Sequence, residues 1–341
     1  MDFNRASFAS AYPQGFFVDL EDRAALESYL RRKGWIAESE ALLSAAKAGE
    51  GNMNLTLRVV TATKSFILKQ ARPWVEKYPG IAAPPERALV EIAFYRAVSS
   101  RPAIRSAMPA LLGEDRASGI LVLEDLGAAQ DFTSLYRGER LSEPDLDALV
   151  SYAVELHRPF EGLGAIFENR GMRALNHEHI FRFPLERENG LDLDAISPGL
   201  DRAARRLKGD GAYVARVTEL GGLYLEDGRS LVHGDYFPGS WLATSAGARV
   251  IDPEFCFLGV PAFDLGVMLA HLHLSSQPRS LCDALLDLYR SRAGVGTEFV
   301  SLARQFAGVE IMRRLIGVAQ LPLPLGLDER LELLDLSKRL V

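Results

Sequence analysis

The spacing of apolar and polar residues in the first third of the chain predicts a helix, a hairpin, a second helix and a strand. Apolar positions recur at helical spacing over 20–35, and 48–70 has glycines followed by alternating and β-branched residues, with a turn near Thr63. The segment 84–100 opens with two prolines, which the first turn of a helix tolerates, and 118–127 is a short apolar strand that ends in acids and glycine. These elements predict a small β-rich N-terminal domain.

The pattern becomes mostly helical in the rest of the chain. Ser142, with Pro144 two residues later, marks a helix start, and apolar residues then recur on one helical face. Within 231–257 two short apolar strands joined by "TSAG" interrupt the helices. We therefore predict an α+β fold with a small β-rich N-terminal lobe over 1–126 and a larger, mostly helical C-terminal lobe over 127–341.

Composition narrows the class of function. A 341-residue chain is long enough for roughly two domains, and its net charge of -6 argues against a duplex nucleic-acid binder, which normally shows a basic surface. No apolar run reaches the roughly 18 to 20 residues that a membrane helix needs, and the N-terminus lacks a signal-peptide pattern, so a cytoplasmic protein is expected. Cys256 and Cys282 have no metal-site spacing. Small-molecule chemistry is the favoured class.

A glycine-rich segment, "GEGNMN", stands at the head of the predicted hairpin. Without a Cβ, Gly49 and Gly51 would let backbone N–H groups approach a phosphate group. No Gly-Lys-Ser/Thr follows, so the segment is not a Walker A loop. Taken alone, a plain hairpin turn is the commoner explanation.

Lys69 lies inside the apolar strand "FILKQ", where an unpaired ammonium group would be costly to bury. Glu91, on the apolar side of the following helix, is a candidate partner. A solvent-facing lysine beside an unrelated surface glutamate explains this pair equally well in isolation.

Asp235, in "LVHGDYFPGSWL", and Asp252, in "IDPEF", flank a predicted hairpin that would bring both carboxylates to one end. One acid would accept or orient the proton of a substrate hydroxyl, while the other would bind Mg²⁺, with Glu254 adding a second acid two residues on. His233 is expected to pack in the core rather than act as a base. Although "HGD" alone favours a polar turn, all these elements in this order favour phosphoryl transfer from ATP, which needs a phosphate clamp, metal ligands and an orienting group.

The lysine strand, the helix glutamate, the "HGD-x4-S" loop and the "IDPEF...FDLG" segment resemble the aminoglycoside phosphotransferase and choline kinase superfamily over nearly the whole chain. That resemblance implies a protein-kinase-like bilobal fold. Within the superfamily, "EGNMN", "KQARPWVEKYP", Ser240 in place of asparagine, "DPEF" and "IMRRLIGVAQ" are most similar to the 5-methylthioribose kinases, which phosphorylate the anomeric hydroxyl of a 5-modified ribose.

The resemblance also implies roles for individual residues, with ATP and Mg²⁺ as cofactors. Asp235 would be the catalytic acid/base and Asp252 and Glu254 the metal ligands. Lys69, held in place by Glu91, would contact the α- and β-phosphates of ATP. The other implied contacts are Gly49, Gly51, Asn52 and Ser240 near the nucleotide, Glu124 and Leu126 at adenine, Asp264 bracing the catalytic loop, and Arg313, Arg314 and Tyr236 at the sugar.

Three functions stay open at this point. The arginine pair favours a kinase acting on methylthioribose or a related 5-deoxypentose, since it suits an oxygen-rich acceptor that gains phosphate charge. Tyr236 and Phe237, where methylthioribose kinases carry Leu-His, and Trp241 would suit a choline-type or aminoglycoside acceptor instead. Ser240 in place of asparagine would fit an inactive nucleotide-binding module. The superfamily's dimers suggest a homodimer.

Overall fold

The computed structural model describes residues 3–49 and 53–341, so Gly51 and Asn52 of the glycine-rich segment lie outside the described residues. Within the part described, the chain divides into two compact units, Met1–Ala128 and Ala129–Val341. No helix among these residues is long and apolar enough to cross a membrane.

The first unit is built on one five-stranded antiparallel sheet with strand order β1-β2-β3-β7-β6. Its elements are α1 (Phe3–Ala11), α2 (Arg23–Arg32), β1 (Leu42–Lys47), β2 (Leu55–Thr61), β3 (Ser65–Gln70), β4 (Trp74–Val75), β5 (Tyr78–Ala82), α3 (Arg87–Val98), α4 (Pro102–Arg105), β6 (Leu111–Asp115) and β7 (Ile120–Glu124).

The sheet of the first unit has one fully buried face. Leu55, Leu57 and Val59 alternate along β2 with partly exposed residues, as expected for a strand with one face on the core. Leu26 and Leu30 of α2 belong to the same hydrophobic cluster. Burial of these apolar side chains holds α2 on the sheet.

The second unit is mostly helical. Its elements are β8 (Gln130–Asp131), α5 (Glu143–His157), α6 (Arg170–His177), α7 (Leu200–Lys208), α8 (Gly211–Leu225), β9 (Ser230–Val232), β10 (Trp241–Thr244), β11 (Gly247–Val250), β12 (Phe257–Gly259), α9 (Ala262–Leu274), α10 (Arg279–Ala293), α11 (Thr297–Ile316) and α12 (Leu327–Leu340).

Helices α9 and α11 pack closely at Gly266. A Cβ there would lie 2.6 Å from both the carbonyl oxygen of Ala303 and the Cβ of Phe306, so only glycine permits this approach. Gly266 lies two residues after Asp264, and α11 carries Arg313 and Arg314. The close packing therefore fixes these functional candidates relative to one another.

The α+β fold class is confirmed, with a sheet-rich N-terminal part and a helical C-terminal part. Ser142 caps α5 as predicted, since its Oγ accepts from the Asp145 N–H at 3.2 Å. The predicted hairpin turn near Thr63 joins β2 to β3. Strand β1 was not predicted, because its mixed sequence "LLSAAK" leaves most of its side chains partly or fully exposed.

Candidate active site

Lys69 and Glu91 form a buried ion pair in the first unit. Lys69 lies on the inner strand β3, opposite Thr56 on one side and Leu121 on the other. Its Nζ donates to Glu91 Oε1 at 2.7 Å, and the side chains are only 3% and 1% exposed. The sequence prediction that these two residues meet is therefore confirmed. The pair offers a fixed cation at the centre of the sheet, as a phosphate-binding lysine requires.

The described residues at the two ends of the glycine-rich segment differ in character. Gly49 has φ +86°, a left-handed conformation that favours glycine. On the far side, buried Arg87 at the start of α3 donates to the Met53 carbonyl at 2.9 Å and to Asn54 Oδ1 at 3.0 Å. Sequence analysis missed Arg87. The only signal was an arginine directly after "PPE" at a helix start.

The predicted catalytic loop in the second unit is fixed by Asp264. Its carboxylate accepts from the backbone N–H groups of His233 at 2.6 Å and Gly234 at 3.0 Å, and from His157 Nε2 at 3.0 Å. His233 in turn donates from Nε2 to the Ile251 carbonyl at 2.9 Å, which makes it a buried scaffold residue, as predicted. Gly234 has φ +83°, and a Cβ there would collide with the Phe255 carbonyl.

Replacing Asp264 with alanine is expected to lower the free energy of unfolding by about 2–4 kcal/mol, because three buried donors lose their acceptor. Urea unfolding measures the change. Asp283→Ala on α10, which removes a 54% exposed carboxylate, is the control and should change stability little. Equal stability of the two variants would show that Asp264 does not hold the loop.

The hairpin β10–β11 brings Asp235 and Asp252 to one end, as predicted. Trp241 pairs with Val250, and the Ile251 N–H donates to the Ser240 carbonyl at 2.9 Å, so the flanking segments leave the hairpin together. The negative charge of Asp252 contributes to raising the pKa of Asp235, which shows that the two groups interact electrostatically.

Asp235 combines partial exposure with a perturbed acidity. Its side chain is 24% exposed, and Arg314 Nη2 lies 3.7 Å from its Oδ1. Burial raises the pKa of Asp235 to about 6, although the charges of Arg314 and Arg313 act in the opposite direction. A carboxylate with this pKa is ionised at neutral pH and is a better proton acceptor than an ordinary aspartate.

Asp252 and Glu254 follow β11 in an irregular segment. Asp252 has φ +61°, an uncommon backbone conformation that is often found at functional sites. Glu254 is buried, and Asn169 Nδ2 donates to its carbonyl at 3.0 Å and to that of Cys256 at 2.9 Å. Across 3–49 and 53–341 no three His, Cys, Asp or Glu side chains gather to hold a metal ion. Two carboxylates fit Mg²⁺, which commonly takes one or two carboxylates and completes its shell with phosphates and water.

The structure corrects the role predicted for Tyr236 as a wall beside the acceptor. Its side chain is 1% exposed, and its hydroxyl donates to the Leu149 carbonyl at 2.8 Å. Its ring packs against Tyr152 and Trp241, and Trp241 is itself fully buried. A large aromatic side chain in this loop can either pack in the core or line the acceptor site, and the sequence could not distinguish these two roles.

Ser240 is also turned into the protein. It is 2% exposed, and its Oγ donates to the Asp235 carbonyl at 2.8 Å. The hydroxyl hydrogen is thus used within the predicted catalytic loop rather than offered to a nucleotide.

Two residues predicted near adenine lie at the C-terminal end of β7 and just beyond it. Glu124 ends β7, and its N–H donates to the Ala110 carbonyl at 2.8 Å. Leu126 follows it and is half-buried. The Glu124 N–H is therefore already used within the unit.

Arg313 and Arg314 are buried on α11, and both bind Glu310. Arg314 faces Asp235, while Glu310, which sequence analysis missed, lies between the two guanidinium groups. The signal was available, since an acid three and four residues before an arginine pair in an apolar helix implies a buried pairing.

Comparison with known proteins agrees with this geometry. The model of the phosphotransferase enzyme family matches residues 44–299. A methylthioribose kinase from Exiguobacterium sibiricum is 26% identical over 318 residues, which cover 81% of this chain and 80% of that protein. Two solved structures share the fold. The choline kinase from Cryptosporidium parvum Iowa II has a TM-score of 0.58 and 13% identity, covering 94% of this chain and 96% of that one. The choline kinase LicA from Streptococcus pneumoniae has a TM-score of 0.53 and 14% identity, covering 94% and 98%.

The match to the family model extends over well more than half of the 341 residues. The chain therefore belongs to the phosphotransferase enzyme family and is a small-molecule phosphotransferase with a hydroxyl group as acceptor.

Proposed function

We propose that this protein transfers the γ-phosphate of ATP to a sugar hydroxyl, most specifically to the anomeric hydroxyl of 5-methylthioribose or a related 5-deoxypentose. The observation that carries the proposal is the placement of a buried arginine, Arg314, beside the candidate base Asp235 at 3.7 Å. A guanidinium group suits an acceptor that is rich in oxygen and gains phosphate charge. The name of the relative from Exiguobacterium sibiricum supports the same acceptor.

Each residue has a distinct part in the proposed reaction. Asp235 accepts the proton of the attacking hydroxyl, and Arg314 stabilises negative charge on the transferring group. Lys69, held by Glu91, binds phosphate oxygens of ATP. Asp252 and Glu254 would hold Mg²⁺, which neutralises charge on the phosphates when bound.

The pH dependence of the reaction should follow the ionisation of Asp235. Only the ionised carboxylate can accept a proton, and its pKa is raised to about 6. We expect kcat/KM to be constant above about pH 7 and to fall about tenfold for each pH unit well below 6. Initial rates from pH 5 to 8.5 at saturating ATP measure the profile. Values of kcat/KM that stay constant down to pH 5 would show that the proton acceptor is not a group with a pKa of about 6.

A choline-type or aminoglycoside acceptor is not supported by the residues around Asp235. Two of the three aromatic residues that suggested one, Tyr236 and Trp241, are buried in the core. The third, Phe237, has the guanidinium group of Arg314 over its ring at 4.8 Å. A cationic acceptor would be repelled by that arginine.

An acceptor screen tests the proposal. Purified protein is mixed with ATP, Mg²⁺ and single acceptors, and ADP release is followed by a coupled assay. The panel contains 5-methylthioribose, ribose, 5-deoxyribose, choline, ethanolamine and kanamycin. We expect turnover with the 5-modified riboses and little with the amines. Turnover with an amine alone would replace the sugar in the proposal.

A further inference from the structure

Glu310 lies at the centre of a buried network on α11 and α9. It is 1% exposed and accepts hydrogen bonds from three donors: Arg313 Nη1 at 2.9 and 3.2 Å, Arg314 Nε at 2.6 Å and His271 Nε2 at 3.2 Å. A carboxylate with three donors is held in one orientation. Although burial raises the pKa of Glu310, the two arginines hold it well below its ordinary value, so the group is ionised.

The hydrogen bonds define the protonation of His271. Because ionised Glu310 can only accept, Nε2 of His271 carries the proton. Nδ1 then accepts from the Tyr136 hydroxyl, which lies at 2.6 Å. Burial lowers the pKa of His271 to about 4, so the imidazole is neutral at pH 7. With neutral His271, the two arginines and ionised Glu310 together carry one net positive charge. Arg314 is the member of this network that faces Asp235.

Within the described residues, one nitrogen of Arg314, Nη2, makes no hydrogen bond and lies 3.7 Å from Asp235 Oδ1. Its Nε binds Glu310, and its Nη1 donates to the Ala319 carbonyl at 3.2 Å. Its guanidinium carbon lies over the ring of Phe237, 4.8 Å from the ring centroid. Nη2 itself is buried. A buried donor without a partner is costly, which indicates that a ligand supplies one.

We propose that Glu310, backed by neutral His271 and Tyr136, is a positioning residue that locks Arg314 so that Nη2 points at the group phosphorylated beside Asp235. This inference rests on the proposed sugar kinase activity. Glu310 does not touch the acceptor itself. It acts by restricting the guanidinium group to one orientation and by halving the positive charge of the arginine pair.

A purely structural role would not require this arrangement. Hydrophobic residues often replace a buried charge cluster without loss of stability, so stability alone does not explain an acid with two arginines. Restricting the rotation of one guanidinium group near the reacting atoms can raise the reaction rate substantially, because small misplacements of such a group slow a reaction by up to about 10²-fold.

The test compares Glu310→Gln with the wild type and with Glu298→Gln. Glu298 is an exposed acid in the first turn of the same helix and serves as the matched control. In Glu310→Gln the side chain keeps its size but loses the charge that orients both arginines. We expect kcat to fall about 10- to 100-fold, the KM for ATP to stay unchanged, and Glu298→Gln to behave as wild type.

The pH profile gives a readout that a structural defect would not produce. Several ionisable groups act on or contact Asp235 within the described residues: Arg313, Arg314 and Glu310 on α11, Asp252 after β11, His233 in its own loop, and Tyr136. Since the charge of Glu310 raises the pKa of Asp235, Glu310→Gln should move the acid limb of kcat/KM to lower pH. Arg314→Gln should move it to higher pH.

A second readout is independent of activity. The ¹⁵Nε–H signal of Arg314, assigned by its loss in Arg314→Lys, should exchange slowly with water in the wild type and faster in Glu310→Gln, because the hydrogen bond is no longer charge-assisted. Unchanged kcat and unchanged exchange would overturn the inference. So would a loss of kcat with an unmoved acid limb and a parallel loss of stability, which would show a structural role only. Slow exchange in a wild-type protein that phosphorylates no sugar would refute the proposed function but leave the locked arginine in place.

Discussion

Replacing Asp235 with asparagine is expected to lower turnover by about 10²- to 10⁴-fold while ATP binding is retained. The change keeps the size of the side chain and removes its negative charge together with its ability to accept a proton. Asp235 lies 3.7 Å from Arg314, where a hydroxyl acceptor and its developing charge would meet a base and a cation. Steady-state ADP release gives the turnover, and isothermal titration with ATP and Mg²⁺ gives the binding.

The same variant should be more stable than the wild type at neutral pH. Folding raises the pKa of Asp235 from its ordinary 3.8 to about 6, so the folded protein holds that proton more tightly than the unfolded chain. The ionised group therefore costs stability at pH values above about 6, and this cost fades as the pH falls towards 4. Asp235→Asn removes a cost of roughly 1–3 kcal/mol at pH 7.5, because each pKa unit corresponds to about 1.4 kcal/mol. A variant that is both active and unchanged in stability would mean that Asp235 is not catalytic and that folding does not raise its pKa.

Replacing Lys69 with methionine is expected to impair both ATP use and stability. The variant loses the cation of a pair whose atoms lie 2.7 Å apart in the core of the first unit. Removing one partner of a buried ion pair typically costs about 3–5 kcal/mol, since the other charge stays buried. We expect a marked fall in the midpoint of thermal unfolding and a KM for ATP raised by at least tenfold, on the order of one charge-assisted hydrogen bond.

The double variant Lys69→Met/Glu91→Leu separates the two effects. Removing both charges should restore most of the stability, because no buried charge is left without its partner. ATP use should stay impaired, since the phosphate-binding cation is still absent. Recovery of ATP use in the double variant would show that Lys69 has only a structural role.

The parts of the fold that could be predicted from the sequence are those determined by local patterns. The cap of α5 at Ser142, the hairpin turn near Thr63 and the pairing across "TSAG" all follow from short-range chemistry. Lys69 and Glu91 could be paired because a buried lysine needs a counter-charge. The fold class also followed from the change from strand to helix patterns along the chain.

Side-chain direction within the site could not be predicted, because it depends on packing between distant segments. Tyr236 and Phe237 are neighbours in sequence, yet Tyr236 points into the core while the guanidinium group of Arg314 lies over Phe237. Arg87 was missed for the same reason, whereas Glu310 had a local signal in Arg313 and Arg314, and only its contact with a separate helix could not be predicted. Their distant partners come from separate parts of the chain, Met53 for Arg87 and His271 for Glu310.

The central claim is that this protein phosphorylates a sugar hydroxyl with Asp235 as the proton acceptor. Phosphorus NMR of a reaction with ATP, Mg²⁺ and 5-methylthioribose tests it directly, with Asp235→Asn as the matched control. The account predicts that the wild type forms a new phosphate monoester signal, coupled to the anomeric proton and equal in amount to the ADP formed, and that Asp235→Asn forms it about 10²- to 10⁴-fold more slowly. Inorganic phosphate as the sole product, or the same monoester formed at an equal rate by Asp235→Asn, would contradict it.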